Sequence, residues 1–148
     1  MDKMNFTTIK VFYWTTFGLS IIILPLNFGL GLVAIGLVIL PLLILHLAIA
    51  LTVNRLENHR ISIILSALNL LLFALIRPDG VHAFTDNGLS SALDLVGINA
   101  GYNSNYENHF FIGSLILLLV QAIMDIRLWK VAKTNKTGDR TPSTQQNA

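Results

Sequence analysis

The chain contains no cysteine and few charged residues, and both scarcities exclude classes of function. Without cysteine, the protein cannot use disulfide exchange, thiolate catalysis, iron–sulfur clusters or cysteine-based zinc sites. Charged residues make up 12% of the 148 residues, whereas 53% are hydrophobic. That charged share is about half the share usual for a soluble domain. The composition therefore predicts a membrane protein, with too little sequence left over for a soluble catalytic domain.

Long apolar runs make up most of the sequence. The longest uncharged stretch, from Val11 to Asn54, is 44 residues long. Since one bilayer crossing needs about 20 apolar residues, this stretch is long enough for two crossings. The cluster Pro25-Leu26-Asn27-Phe28-Gly29 interrupts it and predicts a tight turn between them. Two further apolar runs follow along the chain. The sequence thus predicts an all-α integral membrane protein, a four-transmembrane-helix bundle, with spans at about 9–24, 30–53, 61–76 and 110–128.

Two segments lie outside these predicted spans. In the outer loop between the third and fourth spans, four apolar residues recur at helical spacing and end at Gly97. They predict a short amphipathic helix lying on the outer surface, with Leu89, Ala92, Leu93 and Val96 on its apolar face. Residues 133–148 are polar and lack an apolar period, which predicts a disordered cytoplasmic tail. The expected organisation is therefore a membrane domain at 1–132 followed by that tail.

Basic residues predict the orientation, because Lys and Arg are retained on the cytoplasmic side of membranes. With four spans, Arg77 is the only base on one side. The other side carries Lys3, Lys10, Arg55, Arg60, Arg127, Lys130, Lys133, Lys136 and Arg140. We therefore expect a multi-pass protein of the plasma (inner) membrane with cytoplasmic N- and C-termini. A cleaved signal peptide is the alternative for the first run, but Gly29-Leu30-Gly31 is a poor cleavage site and favours a retained anchor.

Few polar side chains interrupt the spans, and they lie at similar depths. At a rise of 1.5 Å per residue, His46, Asn69 and Gln121 lie about 10 to 12 Å from the cytoplasmic ends of their helices. These three predict a polar layer in the inner leaflet, to which the first span would add Thr15 and Thr16. Asp125 follows Gln121 by four residues and so shares its face. It is expected below the layer, near the cytoplasmic boundary.

Two interpretations of this layer remain open. Hydrogen bonds between such side chains commonly fix the register of membrane helices, and this packing role is the one we expect. Alternatively, His46 forms a binding or proton site with Asp125 or Gln121, because imidazole titrates near neutral pH. The outer loop offers Asp79, His82, Asp86, Glu107 and His109 as potential metal ligands. Their spacing matches no compact metal motif, so neither a metal nor a cofactor is expected.

The overall plan resembles that of the membrane disulfide-bond oxidoreductases, whose chemistry needs cysteine pairs. Small four-helix multidrug exporters are similar in size but depend on a carboxylate in the first helix, where this chain has Thr15 and Thr16. Neither activity carries over. The sequence favours a non-enzymatic membrane protein that binds a partner, either an accessory subunit or a protective, immunity-type protein. The 77–108 loop is a candidate binding surface.

The alternative is a small oligomeric transporter or channel subunit built around the polar layer. Expected partners are the lipid bilayer and either another protein or further copies of this chain. No nucleic-acid partner is expected.

Overall fold

The computed structural model describes residues 5–26, 30–78, 87–98 and 107–138, and no strand occurs among them. The all-α prediction is confirmed for this part of the chain. The tight turn predicted around Pro25-Leu26-Asn27-Phe28-Gly29 falls largely outside the described residues. The elements are α1 (Phe6–Leu26), α2 (Leu30–Thr52), a 3-10 helix (Val53–His59), α3 (Arg60–Ile76), α4 (Gly88–Leu95) and α5 (Glu107–Gly138).

Three helical stretches are long and apolar enough to cross a membrane, as expected of a membrane protein. They are Phe6–Leu26, Gly36–Ile76 and His109–Lys136. The second stretch has 41 residues and contains most of α2, the 3-10 helix and α3. Its length arises because the 3-10 helix connects α2 directly to α3 without an intervening loop.

The chain nevertheless reverses direction within this long stretch. His46 of α2 and Ser66 of α3 both contact the carboxylate of Asp125. A straight helix would hold residues 20 positions apart about 30 Å from each other. The reversal occurs in the 3-10 helix, where Leu56 has non-helical backbone angles. Val53 and Leu56 are buried while the polar residues between and after them are exposed, so two apolar side chains anchor a polar turn.

Packing divides the interior into two apolar clusters. The first surrounds the 3-10 turn and includes Ile9, Ile49, Leu56 and Leu128. The second lies towards the other ends of the helices and consists of Phe17, Ile23, Leu24, Ile39, Leu70, Phe73 and Ala74. Helix α3 packs against both α1 and α5, and α5 also packs against α2. The predicted polar residues of α2, α3 and α5 lie between the two clusters.

Helix α5 is longer than the predicted span and ends at Gly138, ten residues beyond position 128. The sequence predicted a disordered tail from residue 133, whereas the structure describes 133–138 as the last part of α5; 139–148 lie outside the described residues. The Asn135 side chain donates a hydrogen bond to the Arg55 carbonyl at 2.6 Å. The Lys133 ammonium lies 5.2 Å from the centre of the Trp129 ring. These contacts stabilise a helical end without an apolar stripe.

Helix α4 contacts both α1 and α3. Its buried residues are Gly88 and Ser90. Of the apolar face predicted from spacing, Leu89 and Val96 are exposed and the other two residues are partly buried, so this face is not the one that packs against the protein. Asn87 caps this helix: its side chain accepts from the Ser90 backbone N–H at 2.9 Å, and Ser90 Oγ accepts from the Asn87 N–H at 3.0 Å. Gly97 follows with φ of 79°, a conformation that favours glycine.

Candidate functional site

Four residues from three helices form a cluster between the two apolar regions, and Asp125 lies at its centre. The hydroxyl of Ser66 donates to Asp125 Oδ1 at 2.7 Å, and Gln121 Nε2 donates to the same oxygen at 2.9 Å. His46 Nδ1 lies 3.1 Å from Asp125 Oδ2 and 3.2 Å from Oδ1. All four side chains are completely buried. We call this group, together with Asn69, the polar layer.

Helical spacing explains why these residues meet. Ser66 and Asn69 are three residues apart on α3, and Gln121 and Asp125 are four apart on α5, so each pair shares one helix face. Asn69 Nδ2 donates to Gln121 Oε1 at 2.8 Å and to the Leu117 carbonyl at 2.9 Å. The Gln121 side-chain oxygen thus accepts a hydrogen bond from α3, and its nitrogen donates one to Asp125.

The structure joins Asp125 directly to His46 and Gln121, whereas the sequence predicted a position below them near the cytoplasmic boundary. Asp125 lies well within α5, which continues to Gly138. Arg127, which could have formed an interfacial ion pair with it, is exposed instead. The carboxylate therefore depends on hydrogen bonds from Ser66, Gln121 and His46, as buried charges generally require.

The hydrogen-bond network determines which His46 nitrogen carries a proton. Gln121 Nε2 lies 3.1 Å from His46 Nδ1, but its two hydrogens are directed to Asp125 and to Ser66 Oγ, which it contacts at 3.0 Å. The nitrogen Nδ1 must then donate to the carboxylate, because Asp125 offers only acceptors when ionised. The other nitrogen, Nε2, is buried and has no hydrogen-bond partner among the described residues.

Helix α1 contributes aromatic rings rather than the threonines expected from sequence. The Tyr13 ring stacks on His46 at 4.5 Å between ring centres and 11° between planes, and Phe17 packs at 5.1 Å. Tyr13 also donates from its hydroxyl to the His46 carbonyl at 3.2 Å. The Thr16 hydroxyl donates to carbonyls of its own helix, and Thr15 is exposed. The signal for Tyr13 was available, since its side chain carries a polar hydroxyl and it lies within one helical turn of Thr15 and Thr16.

The potential metal ligands of the outer loop are not assembled by the described residues. Asp79, His82 and Asp86 lie outside them, and the described part of the chain contains no group of three His, Asp or Glu side chains suited to a metal. The exposed side chain of His109 lies near the start of α5. The polar layer is thus the main cluster of polar chemistry in the described interior.

The arrangement of His46 and Asp125 is chemically that of an imidazole oriented by a carboxylate. In enzymes such a pair positions a general base, provided that a substrate reaches the second ring nitrogen. Here the whole imidazole has no exposed surface and is covered by the rings of Tyr13 and Phe17. The geometry accordingly favours a pair that holds helices together. No family model matches the chain, and comparison with curated proteins and with solved structures finds no match either.

Proposed function

We propose that this chain is a non-enzymatic membrane protein with four spans that binds a protein partner through its lipid-facing helices. The observation that carries the proposal is the surface of α5. Only 17% of the residues in the most apolar part of this helix are buried, compared with 39% in α1. In a bilayer this apolar surface faces lipid unless another helix covers it.

The exposed side of α5 has a regular pattern. Five large residues follow one another at alternating spacings of four and three, and each is between 47% and 64% exposed. They are Ile112, Ile116, Leu119, Ile123 and Ile126. A repeat of this kind forms a straight seam along a helix, the pattern by which two helices pack side by side. We name these five residues the α5 seam and propose that a helix of the partner packs against it.

The closed polar layer supports a binding role over catalysis. Its hydrogen bonds join α2, α3 and α5, and its buried members leave no surface for a substrate. Interhelical hydrogen bonds of this kind contribute about 0.6 kcal/mol each and fix the relative positions of helices. The bundle would then serve as a rigid support that presents the α5 seam and the outer loop.

The four-span topology is part of the proposal. Helices α2 and α3 have 23 and 17 residues, which correspond to about 35 and 26 Å against a hydrocarbon thickness of about 30 Å. The exposed polar turn between them would lie in the cytoplasm with both termini, and α4 would lie at the outer face. This orientation follows the division of basic residues.

Cysteine labelling tests the topology, because the chain has no native cysteine. Single cysteines at Ser104, Asn58 and Ser143 are treated in intact cells with an impermeant maleimide. Only the variant at Ser104 is expected to react. Labelling at Asn58 would contradict the proposed orientation, and labelling at all three positions would contradict the proposed number of spans.

Site-specific photo-crosslinking tests the partner. A photoreactive amino acid replaces Leu119 in the α5 seam, and a matched variant carries it at Ile22, which is exposed on α1. We expect a stoichiometric adduct with an unrelated protein from Leu119 and none from Ile22, together with co-purification in mild detergent. Adducts only between copies of this chain, accompanied by substrate-dependent flux in vesicles, would establish the transporter or channel alternative instead. Adducts with lipid alone from both positions would overturn the proposal.

A further inference from the structure

An open cleft of about 600 Å³ lies between α3 and α5, beside the 3-10 turn. One wall is formed by His59, which precedes α3, and by residues of α3 spaced three apart. The other wall is formed by the part of α5 that follows Met124. The lining residues are His59, Ser62, Leu65, Met124, Arg127, Leu128, Lys130 and Val131.

The cleft is apolar at one end and basic at the other. Leu65 and Met124 adjoin Ser66 and Asp125 in sequence, so they lie at the level of the polar layer, inside the apolar part of the helices. Lys130 is six residues further along α5, about 9 Å closer to the helix end. The cleft therefore runs from the hydrocarbon region to the polar turn, as a bound lipid does when its headgroup is at the membrane surface.

The bases of this cleft differ from others at the same end of the protein. Arg60 pairs with Glu57 at 2.8 Å, and the Lys10 ammonium lies over the Phe6 ring. Arg127 and Lys130 are exposed, and among the described residues neither forms an ion pair or a hydrogen bond through its side chain. Among the described residues that line the cleft there is no Asp or Glu. Two positive charges are thus left uncompensated beside an apolar wall.

We propose that this cleft binds an anionic phospholipid. Arg127 and Lys130 contact the headgroup phosphate, and an acyl chain lies along Leu65, Met124 and Leu128. Basic clefts between membrane helices suit such headgroups, and guanidinium and ammonium groups both bind phosphate. A zwitterionic lipid fits less well because the described lining offers no carboxylate to its ammonium group. This site is separate from the α5 seam and does not depend on a protein partner.

Binding is measured on the full chain in a neutral detergent. Dioctanoyl phosphatidylglycerol and dioctanoyl phosphatidylcholine are titrated separately, and bound lipid is counted by native mass spectrometry while the melting temperature is recorded. We expect one phosphatidylglycerol to bind preferentially and to raise the melting temperature. Equal binding of the two lipids would overturn the proposal.

Paired variants locate the site. Arg127→Gln combined with Lys130→Gln should weaken phosphatidylglycerol binding about thirty-fold, since each base near a membrane surface contributes about 1 kcal/mol. The matched control, Arg55→Gln with Lys136→Gln, removes the same two charges outside the cleft and should retain the wild-type affinity. An equal loss in both double variants would show that general charge attraction, not the cleft, binds the lipid. Lys130→Gln alone, at an exposed position, gives a graded loss if the double variant does not fold.

A competition experiment separates a lipid site from a simple anion site. Inorganic phosphate and glycerophosphoglycerol carry the same anionic chemistry without acyl chains. We expect neither to displace phosphatidylglycerol at equal concentration, because the apolar wall contributes to binding. Displacement by either compound would show that the cleft binds free anions and would contradict the assignment of the apolar wall.

Discussion

Two buried charged residues lie at opposite halves of this bundle, and they are held in different ways. Asp125 in the polar layer accepts hydrogen bonds from side chains of α2, α3 and α5. Arg77, at the end of α3, is equally buried, but its guanidinium donates to a backbone carbonyl, that of Leu24 near the end of α1, at 2.9 Å. The unsatisfied carbonyls at a helix C-terminus attract a positive charge.

The comparison shows which kind of buried charge a sequence reveals. A carboxylate held by side chains requires other polar residues at the same depth, and those are visible as interruptions of apolar runs. The contact of the Arg77 guanidinium with the Leu24 carbonyl uses a helix end, and a backbone acceptor of this kind leaves no mark in the sequence. The sequence showed Arg77 only as the single base on its side of the membrane, whereas the structure buries it where α3 meets the end of α1.

The largest expected effect is at the centre of the polar layer. Asp125→Leu leaves the donors of His46, Ser66 and Gln121 without their acceptor. It should lower the free energy of unfolding by about 3 to 5 kcal/mol, the usual cost of breaking a buried charged network. Unfolding by SDS in dodecyl maltoside, followed by circular dichroism, measures the change. Asp94→Leu, at an exposed position, is the control. If both substitutions had equally small effects, the polar layer would not contribute to the stability of the protein.

Substitution of the other buried charged residue, Arg77, should reduce stability less than substitution of Asp125. Arg77→Met preserves the length of the side chain but removes its donors, so the Leu24 carbonyl loses a charge-assisted hydrogen bond. We expect a loss of about 1.5 to 3 kcal/mol in the same unfolding experiment. Arg55→Met, which alters an exposed arginine, should cost far less. If the two arginine variants unfolded alike, the guanidinium would not stabilise the end of α1.

A pair of glycine variants tests the close packing of α4 against α3, in the same half of the protein as Arg77. A Cβ at Gly88 would overlap the Ala74 backbone carbonyl and approach Ile23 Cγ2 to 3.1 Å. Gly88→Ala should therefore destabilise the protein by about 1 to 3 kcal/mol. At Gly36 a Cβ would meet nothing within 4 Å, so Gly36→Ala should be neutral or stabilising by up to about 1 kcal/mol. Melting temperatures in detergent distinguish the two; similar shifts would contradict the close packing of α4.

The smallest effect concerns the geometry of His46. An Asn amide nitrogen occupies nearly the place of Nδ1, whereas a Gln amide nitrogen reaches the place of Nε2. Since the structure uses Nδ1 and leaves Nε2 without a partner, His46→Asn should retain about 1 kcal/mol more stability than His46→Gln. Thermal unfolding of both variants measures the difference. Better retention by Gln would indicate that the ring is oriented the other way.

The members of the polar layer could be predicted because helical rise and periodicity are fixed quantities. Counting inward from the polar ends brought His46, Asn69 and Gln121 to one level, and the structure joins all three to one hydrogen-bond network. Thr16 was misleading because a hydroxyl in a helix can donate to its own backbone, a competition that depth does not reveal. Stacking of Tyr13 on His46 required knowing which faces of α1 and α2 meet.

Element ends were harder to predict than element positions. The fourth span was predicted to end at residue 128, where the apolar run ends, yet a helix need not end where its apolar run does. The bond from Asn135 to the Arg55 carbonyl is formed between residues 80 positions apart, so no local pattern could indicate it. In the same way, Gly88 packs against the Ala74 backbone through a tertiary contact that the apolar residues of α4 do not indicate.

The separation of 79 positions between His46 and Asp125 also has a consequence for biosynthesis. Helices α2 and α3 are made before α5 and carry His46, Ser66 and Asn69. The carboxylate that His46 and Ser66 contact, and the Gln121 oxygen that accepts from Asn69, are both on α5. Until α5 enters the membrane, these donors have no charged acceptor from this chain in the described spans. Completion of the polar layer is therefore a late event of assembly. A chain truncated before Asp125 would retain His46 and Ser66 without the carboxylate that they contact.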